Sequence, residues 1–400
     1  MTDGREEPLN ILHVLRAPVG GLFRHVTDLA QGQAARGHRV GLIADRSTGG
    51  AQAEATLAAL ASKLALGLTR VPMSRHIGAS DFFAVRHVSQ RAKAVAANVI
   101  HGHGAKGGAY ARLGVTPSPT DRKTIRVYTP HGGSLHFRWG SPTGLVYLNA
   151  ERALISRTDL FLFESAYGRD VFKAKISDKI GEPPNRQPSL PPSLVRVVHN
   201  GVTDDEFQPI VVSQGATDLL FIGELRLLKG VDVLIAAIRQ LAQEGRRVDG
   251  RKVTATIVGD GPDRAQFERE VGKHGLGERV QFAGAKPARQ AFTLGRLLIV
   301  PSRAESLPYI VLEAAAAGVP MIATQVGGIP EIFGPDAGAL VAPGDPAALA
   351  QAISQAMQDR GARHSASLRL KTRLRALFSA DAMTDAILAA YREALADNSG

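Results

Sequence analysis

The stretch PSRAESLPYIVLEAAAAGVP, residues 301–320, decides the fold. An apolar run, residues 297–300, comes directly before it, and another, residues 321–323, comes directly after it. A strand, a turn, a helix and a second strand in so short a span are the pattern of a parallel β-α-β unit. Glu305 then lies just past a strand end and Glu313 lies one or two turns into the helix, so both carboxylates can face one ligand.

The helix of this unit begins near residues 308–310. Its first N–H groups have no partner within the helix, and the positive end of its dipole points the same way. Such an end suits a diphosphate. Two glutamates by themselves could also be surface residues that share a region by chance, so the rest of the chain has to decide.

The same alternation of short apolar runs and helix-patterned stretches extends along nearly the whole chain. In the first half it predicts a helix over residues 22–36 and strands over residues 10–15, 39–44, 99–102, 125–129, 160–163 and 195–198. After residue 200 the pattern restarts, with helices over 231–242 and 264–274 and strands over 218–222, 253–258, 280–282, 297–300 and 321–323. We therefore predict an α/β protein with two doubly wound domains in tandem.

The predicted boundary lies near residues 205–217, which gives a first domain over residues 1–212 and a second over residues 213–378. Doubly wound sheets bind ligands beyond the carboxyl ends of their strands, so a cleft between the two domains is the expected site.

The amino-acid composition narrows the range of possible functions. Hydrophobic residues at 44% and charged residues at 21% are globular values, and no apolar run approaches the roughly 18 residues that cross a bilayer. The N-terminus lacks the basic and apolar regions of a signal peptide, so we expect a cytoplasmic chain. The sequence has no cysteine, which excludes disulfides, thiolate metal sites and cysteine nucleophiles.

The net charge of +11 indicates an anionic partner. Residues 1–212 hold 26 Lys and Arg against 17 Asp and Glu, whereas residues 213–400 hold 22 against 20. The basic residues of the first half are dispersed and aromatic residues make up only 5% of the chain, so nucleic acid is disfavoured. An anionic membrane surface or a pyrophosphate-linked acceptor at the first domain is the expected alternative.

The stretch at 301–320 resembles the E-x7-E signature of the retaining glycosyltransferases of family 4. Other stretches resemble that family's motifs in order along the chain: Pro18-Val19-Gly20-Gly21, Arg36-Gly37-His38-Arg39-Val40, His101-Gly102-His103-Gly104, Thr129-Pro130-His131-Gly132-Gly133, Val198-His199-Asn200-Gly201-Val202 and Gly259-Asp260-Gly261-Pro262. The matches run from about residue 10 to residue 345. The resemblance implies the GT-B fold, two facing Rossmann-like domains with a cleft between them, and a last helix over residues 379–400 that returns to the first domain.

The resemblance also implies roles for single residues. Glu313 would accept hydrogen bonds from the nucleotide ribose, Glu305 would face the donor sugar, and Lys229 would stabilise the leaving diphosphate. His131 would assist catalysis, either through its ring or by orienting the donor. The remaining implied donor-binding residues are Gly20, Gly21, Gly259, Gly261, Ser306, Leu307, Tyr309 and Ile310.

Two positions depart from the family pattern. Pro308 replaces part of the usual glycine-rich loop and has no N–H to give. The family's arginine after the strand glycine is Glu224 here, and Arg226 is the candidate to supply the missing guanidinium.

The resemblance implies transfer of a hexose from a UDP- or GDP-sugar to a hydroxyl, with the anomeric configuration kept. The expected acceptor is a lipid-linked or growing oligosaccharide in cell-surface polysaccharide synthesis. We expect no cofactor and no metal, because no Asp-x-Asp triplet occurs and nothing in the sequence supplies a clear third ligand to its histidines.

Three alternative functions remain, and the third is a non-enzymatic basic module that binds a membrane or nucleic acid. A nucleotide-sugar epimerase of the same fold would form product without an acceptor. The match of Gly102 to Gly107 to G-x-G-x-x-G, with Asp121 downstream, would fit a nicotinamide-dependent oxidoreductase. Phe82 and Phe83 with nearby arginines, or Trp139 and the residues before it, could touch a membrane or could be ordinary core contacts.

Overall fold

The computed structural model describes residues 7–114, 124–133, 139–177, 190, 195–245, 247–248 and 251–398. It divides into two compact units. The first unit comprises Met1–Asn200 together with Ala380–Gly400, and the second comprises Gly201–Ser379.

The first unit is built on a parallel sheet. Its strands are β1 (Asn10–Leu15), β2 (Arg39–Asp45), β3 (Gly67–Val71), β4 (Val99–His103), β5 (Ile125–Thr129), β6 (Leu160–Phe163) and β7 (Val195–Val197). Within the described residues their order is β3-β2-β1-β4-β5-β6-β7, and every pairing is parallel. The order reverses next to β1, so β1, β4 and β5 lie side by side at the centre and their carboxyl ends share one edge.

Helices cover both faces of this sheet. They are α1 (Gly20–Ala35), α2 (Gly50–Ala61), α3 (Ala79–Ala94), α4 (Gly104–Leu113), α5 (Pro142–Ala153) and α6 (Ala166–Phe172). In α1 the buried residues Val26, Leu29, Ala30 and Gln33 follow the spacing of one helix face. The central strands are buried along nearly their whole length because helices pack on both sides of them.

The second unit has its own parallel sheet. Its strands are β8 (Thr217–Ile222), β11 (Ala255–Val258), β12 (Val280–Phe282), β13 (Gly295–Val300) and β14 (Met321–Ala323), and a short antiparallel pair, β9 (Arg247–Val248) and β10 (Arg251–Lys252), precedes β11. In the described part of the chain the main sheet runs β12-β11-β8-β13-β14 with parallel pairings throughout.

The helices of the second unit are α7 (Val231–Gln243), α8 (Arg264–Lys273), α9 (Ala288–Ala291), α10 (Tyr309–Ala317), α11 (Ile329–Phe333), α12 (Pro346–Gln358) and α13 (Arg360–Leu377). Residues of α7, α8 and α12 share one core cluster with the sheet, and residues of α10, α11 and α13 share the other. The sheet is therefore sandwiched between two helical layers, as the doubly wound pattern predicts.

The last helix, α14 (Ala380–Asp397), belongs by its contacts to the first unit. Its apolar residues Met383, Ile387 and Tyr391 join a core cluster formed by β1, β4, β5, β6 and α1. Arg36 at the end of α1 pairs with Asp381 and Asp385 at distances of 3.0 and 2.5 Å.

The predicted strands are confirmed, with ends that differ by at most two residues. β3 was missed because GLTRV is a half-buried edge strand without an apolar run. The predicted boundary after residue 212 is wrong, since the units divide between Asn200 and Gly201. The physical reason is that Phe207, on a short 3₁₀-helix, packs into the core of the second unit.

Candidate functional site

The turns that follow β8, β11, β13 and β14 meet at the carboxyl edge of the second unit's sheet. Glycines with positive φ make this close approach possible. A Cβ on Gly230 would lie 1.9 Å from the Pro301 carbonyl oxygen, and one on Gly259 would lie 1.8 Å from that of Gly223. A Cβ on Gly261 would lie 2.5 Å from the Leu225 carbonyl oxygen. Gly259 and Gly261, predicted as donor-binding residues, thus at least shape the edge by letting two turns touch.

An ion pair lies at the centre of this edge. The Lys229 ammonium nitrogen is 2.7 Å from Oε1 and 2.8 Å from Oε2 of Glu305. The buried Ser302 hydroxyl donates a third hydrogen bond, 2.7 Å long, to Oε1 of Glu305. The Glu305 side chain is 8% exposed and that of Lys229 is 28% exposed, so the carboxylate is held from the inside and the ammonium borders solvent.

The backbone of Glu305 and Ser306 is fixed by the turn after β14. The N–H of Gly328 donates to the Ser306 carbonyl at 2.6 Å. Gly327 has a φ of +59°, and a Cβ there would lie 2.0 Å from the Glu305 carbonyl oxygen. The glutamate therefore projects from a turn with little freedom to move.

Helix α10 starts directly after this turn, at Tyr309. The Pro308 carbonyl accepts from the N–H groups of Val311 and Leu312, and Pro308 provides no side-chain cap. Ile310 and Glu313 are half-buried on this helix, whereas Leu307 and Tyr309 are buried in the core. The structure thus places the helix start, Glu305 and Glu313 within one strand-to-helix segment, as predicted from the sequence.

The role of Arg226 stays a prediction. Its guanidinium lies 3.7 Å from the Glu224 carboxylate, and about half of each side chain is exposed. A second arginine at this edge, Arg303, forms a close ion pair with Asp232, with contacts of 2.7 and 2.6 Å. Sequence reasoning missed Ser302, Arg303 and Asp232. Only the position of Ser302, three residues before Glu305, hinted at its role.

The first unit carries a cluster of buried histidines. His13 lies on β1, His101 and His103 lie on β4, His131 follows β5, and His25 lies on α1. Because β1, β4 and β5 are neighbours in the sheet, their histidines come together near its carboxyl edge. The sequence showed that three of these residues end strands, but not that His13 and His25 join them.

The rings form specific nitrogen contacts. His13 Nδ1 is 3.0 Å from His103 Nε2, and His103 Nδ1 is 3.1 Å from His131 Nε2. His101 lies beside this row, with its two nitrogens 2.7 Å from the Tyr391 hydroxyl and 2.8 Å from the Thr129 hydroxyl.

Burial determines the charge of these rings. Burial lowers the pKa of His131 to about 3 and that of His13 to about 4, and it is the largest cause of the lowered pKa of His25, about 3. The pKa values of His101 and His103 are also well below 6.5, first through burial and then through the neighbouring histidines. All five rings are therefore neutral at pH 7.

His131 is turned inward. Its side chain is 6% exposed, and its φ of +50° is the left-handed conformation that a non-glycine residue rarely adopts. The following Gly132 also has a positive φ, of 73°. The two roles considered for His131, through its ring or by orienting the donor, stay predictions.

The expectation that the histidines lack a third metal ligand is wrong. His13, His101 and His103 form one group, and His25, His103 and His131 form another, whose potential ligand atoms lie within 4.8 Å of one another. Three neutral imidazoles could hold a divalent ion. The fit is poor for His103 and His131, because their ring centroids are 5.4 Å apart while their nearest nitrogens are 3.1 Å apart. Two such rings meet end to end, so their nearest nitrogens point at each other and not at a shared metal ion.

The G-x-G-x-x-G match serves packing. A Cβ on Gly102 would lie 2.5 Å from the Gly108 Cα, and one on Gly107 would lie 2.4 Å from the Val14 carbonyl oxygen. Lys106 is buried and bonds Asp81 at 2.6 Å. These glycines let α4 lie against β4 and β1. Asp121 lies outside the described residues.

The other glycine pair, Gly20 and Gly21, begins helix α1 after β1 in the first unit. A Cβ on Gly20 would meet no atom within 4 Å, although its φ is +64°. The conformation of the turn, and not close packing, therefore explains this glycine.

Each unit alone is a Rossmann-like domain, and two such domains in one chain are what the GT-B fold requires. Anabaena HepE, solved in complex with UDP and glucose, shares this fold with a TM-score of 0.73 over 95% of this chain and 98% of its own, at 19% identity. At that identity the likeness concerns the fold alone.

Family models specify the class further. Residues 19–206 match Glycosyltransferase Family 4, and residues 202–373 match Glycosyl transferases group 1. Together the two models cover residues 19–373, and the chain belongs to the family 4 glycosyltransferases.

Two curated relatives illustrate its breadth. The D-inositol 3-phosphate glycosyltransferase 1 of Catenulispora acidiphila is 31% identical over 226 residues, 52% of this chain and 54% of its own length. The phosphatidylinositol N-acetylglucosaminyltransferase gpi3 subunit of Schizosaccharomyces pombe is 32% identical over 149 residues, 36% of this chain and 32% of its own length. The matched stretches thus span about a third to a half of these relatives.

Proposed function

We propose that this protein is a retaining glycosyltransferase that moves a hexose from a nucleotide diphosphate sugar to a hydroxyl group. The observation that carries the proposal is the ion pair of Lys229 and Glu305 at the start of α10. An ammonium and a helix N-terminus beside each other favour a diphosphate, and an adjacent buried carboxylate favours sugar hydroxyls. HepE, with the same fold, was solved with UDP-glucose, which supports a UDP-sugar as the first donor to test.

Lys229 has three N–H groups, and Glu305 takes two of them. The third can donate to a β-phosphate oxygen of the donor and stabilise the negative charge that develops as the diphosphate leaves. Glu305, held by Ser302, would accept from sugar hydroxyls, and Glu313 would accept from the two ribose hydroxyls.

In the proposed reaction, the bond between the anomeric carbon and the phosphate oxygen breaks, and a bond to the acceptor oxygen forms on the same face of the sugar. The acceptor's proton passes to the leaving phosphate. The role proposed for His131 is indirect and acts through the conformation of its turn. The proposed reaction needs no metal ion, and its rate should not fall when a chelator is added.

The proposed acceptor is a lipid-linked or growing oligosaccharide of cell-surface polysaccharide synthesis, reached at a membrane surface. Helix α3 supports this part: Phe82 and Phe83 are 68% and 58% exposed, so they are not the core contacts considered from the sequence. Arg75 and Arg86 are exposed nearby. Trp139, the other membrane candidate, instead donates to the Lys175 carbonyl at 2.9 Å, and residues 136–138 lie outside the described residues.

Among the described residues, no helix combines the length and apolar character that a membrane span requires. The proposed membrane contact is therefore tested at α3. Phe82→Ser with Phe83→Ser should reduce cosedimentation with vesicles containing anionic lipid, and a matched change at the exposed Val211 of the second unit should not. Equal vesicle binding by both variants, or binding that does not depend on anionic lipid, would contradict the proposed membrane contact.

The donor is identified by thermal stabilisation. A panel of UDP- and GDP-sugars is added to the protein, and the compound that binds raises the melting temperature by mass action. Product analysis then compares reactions with and without an acceptor, because an epimerase would convert the donor alone. If no nucleotide sugar stabilises the protein, the proposed function is wrong.

A further inference from the structure

Five side chains of the first unit form a continuous row, which we call the histidine chain: Gln33, His13, His103, His131 and Glu164. The Gln33 side-chain amide is 2.8 Å from His13 Nε2, and Glu164 Oε1 is 3.9 Å from His131 Nδ1. The two contacts between rings are 3.0 and 3.1 Å. All five side chains are buried or nearly so.

The contacts inside the chain are hydrogen bonds between neutral rings. A neutral imidazole has one N–H and one lone pair, so each contact needs a donor from one ring and an acceptor from the next. Once the proton position on one ring is known, the positions on the other rings follow. All N–H donors of the histidine chain therefore point in the same direction.

The end at Glu164 favours one direction. Glu164 Oε1 is 3.9 Å from His131 Nδ1, beyond hydrogen-bond distance, but a carboxylate so close attracts an N–H and repels a lone pair, which favours Nδ1–H on His131. His131 Nε2 then accepts from His103 Nδ1–H, and His103 Nε2 accepts from His13 Nδ1–H. The opposite direction would aim the lone pair of His131 at the carboxylate.

The other end agrees with this direction after one change. As placed, the Gln33 amide oxygen faces His13, and its buried nitrogen has no hydrogen-bond partner. A half turn of the amide exchanges the two atoms. The nitrogen then donates to His13 Nε2, and the oxygen takes the place of the nitrogen. The turn satisfies a buried donor that is otherwise costly.

We propose that every ring of the histidine chain carries its proton on Nδ1, directed towards Glu164, and that the chain holds the turn at His131. His131 has an unfavourable φ of +50°, which a buried side chain hydrogen-bonded at Nε2 can maintain. His13 and His103 are then positioning residues that act through His131. The inferred proton positions are independent of the proposed function. The expected effect of the histidine chain on turnover rests on the proposed function.

The proton positions are measured directly on the intact wild-type protein labelled with ¹⁵N-histidine. Two-bond ¹H–¹⁵N NMR spectra at pH 7 distinguish Nδ1–H, Nε2–H and doubly protonated rings, and single His→Phe variants assign the signals. We expect Nδ1–H for His13, His103 and His131. An Nε2–H tautomer or a charged ring at any of these positions overturns the inference, as does a stoichiometric divalent metal in the purified protein.

A double-mutant cycle tests the positioning role. His103→Phe should lower kcat for donor turnover by about tenfold or more and leave KM for the donor nearly unchanged, while the control His38→Phe, at another buried and hydrogen-bonded histidine, keeps the rate. Adding His103→Phe to His131→Gly should cost little more, because the chain acts through His131. Additive losses would show that His103 acts independently and would overturn the positioning role, even where the NMR result stands.

Discussion

The ammonium of Lys229 contacts both carboxylate oxygens of Glu305, at 2.7 and 2.8 Å, across two turns that lie 76 residues apart in the sequence. Glu305 is the more buried partner and has a second support in Ser302. A carboxylate fixed in this way sets the position of the ammonium, and the ammonium offers its remaining N–H to an anionic ligand. The first two predictions follow from this pair.

Replacing Lys229 with alanine should reduce the rate of donor turnover by on the order of a hundredfold, because the charge that stabilises the leaving diphosphate is lost. Initial rates with the donor found in the nucleotide-sugar panel measure the effect. The control is Lys252→Ala, which removes an exposed lysine paired with Glu278 at 2.8 Å in the same unit. That change should leave the rate within twofold, since exposed pairs contribute little. Comparable rates for the two variants would exclude Lys229 from the site.

Ser302→Ala should lower the free energy of unfolding by about 1–2 kcal/mol, because a buried carboxylate loses a hydrogen bond. Urea unfolding of both proteins measures this loss. Turnover should fall less than in Lys229→Ala, since Lys229 still holds Glu305. The control Ser62→Ala removes an exposed hydroxyl and should change stability by less than about 0.5 kcal/mol. A fully stable Ser302→Ala variant would show that the hydroxyl does not support Glu305.

Gly230→Ala should destabilise the second unit by more than about 2 kcal/mol. The new Cβ would meet the Pro301 carbonyl oxygen at 1.9 Å, and φ is +72°. The matched control is Gly272→Ala in α8, where a Cβ meets nothing within 4 Å and alanine is the better helix former. Melting temperatures should shift down for the first variant and slightly up for the second. Similar shifts would mean that the two turns are not in close contact.

The histidine cluster should make the protein sensitive to acid. The pKa values of His13, His25 and His131 are lowered to about 4, 3 and 3 in the folded state, while a histidine in the unfolded chain titrates near 6.5. Below pH 6.5 the unfolded state therefore binds more protons, and stability falls as the pH drops. Each histidine contributes about 1.4 kcal/mol per pH unit.

Urea unfolding between pH 6.5 and pH 5 measures this slope, in a range above the ordinary pKa of carboxylates. His25→Phe should reduce the slope by about one histidine's share. A free energy of unfolding that stays constant over this range would show that the rings are charged or solvated in the folded state.

Much of the second unit could be predicted from the sequence. The apolar runs before and after residues 301–320 placed Glu305 at a strand end and Glu313 on the following helix, because strand and helix periodicities are local properties of the chain. Arg226 was assigned because the family's arginine is missing at Glu224, and the prediction stays open, since its half-exposed side chain lies 3.7 Å from Glu224. Proximity in sequence does not determine the direction of an exposed side chain.

The histidine cluster could not be predicted in full. Its members come from β1, β4, the end of β5 and α1, and only the strand order β1-β4-β5 brings them together. That order depends on long-range pairing, which local patterns do not encode. His13, in the middle of an apolar strand, and His25, on a helix face, carry no motif that marks them.

The central claim is that Glu313 and the neighbouring pair bind a nucleoside diphosphate. Calorimetric titration of UDP and GDP into the wild-type protein and into Glu313→Ala tests it most directly. We predict that one of the two nucleotides binds the wild type with a 1:1 stoichiometry and that Glu313→Ala weakens the affinity by roughly tenfold to a hundredfold, the loss of hydrogen bonds to a charged acceptor. Equal affinity in both proteins, or no binding of either nucleotide to the wild type, would contradict the claim.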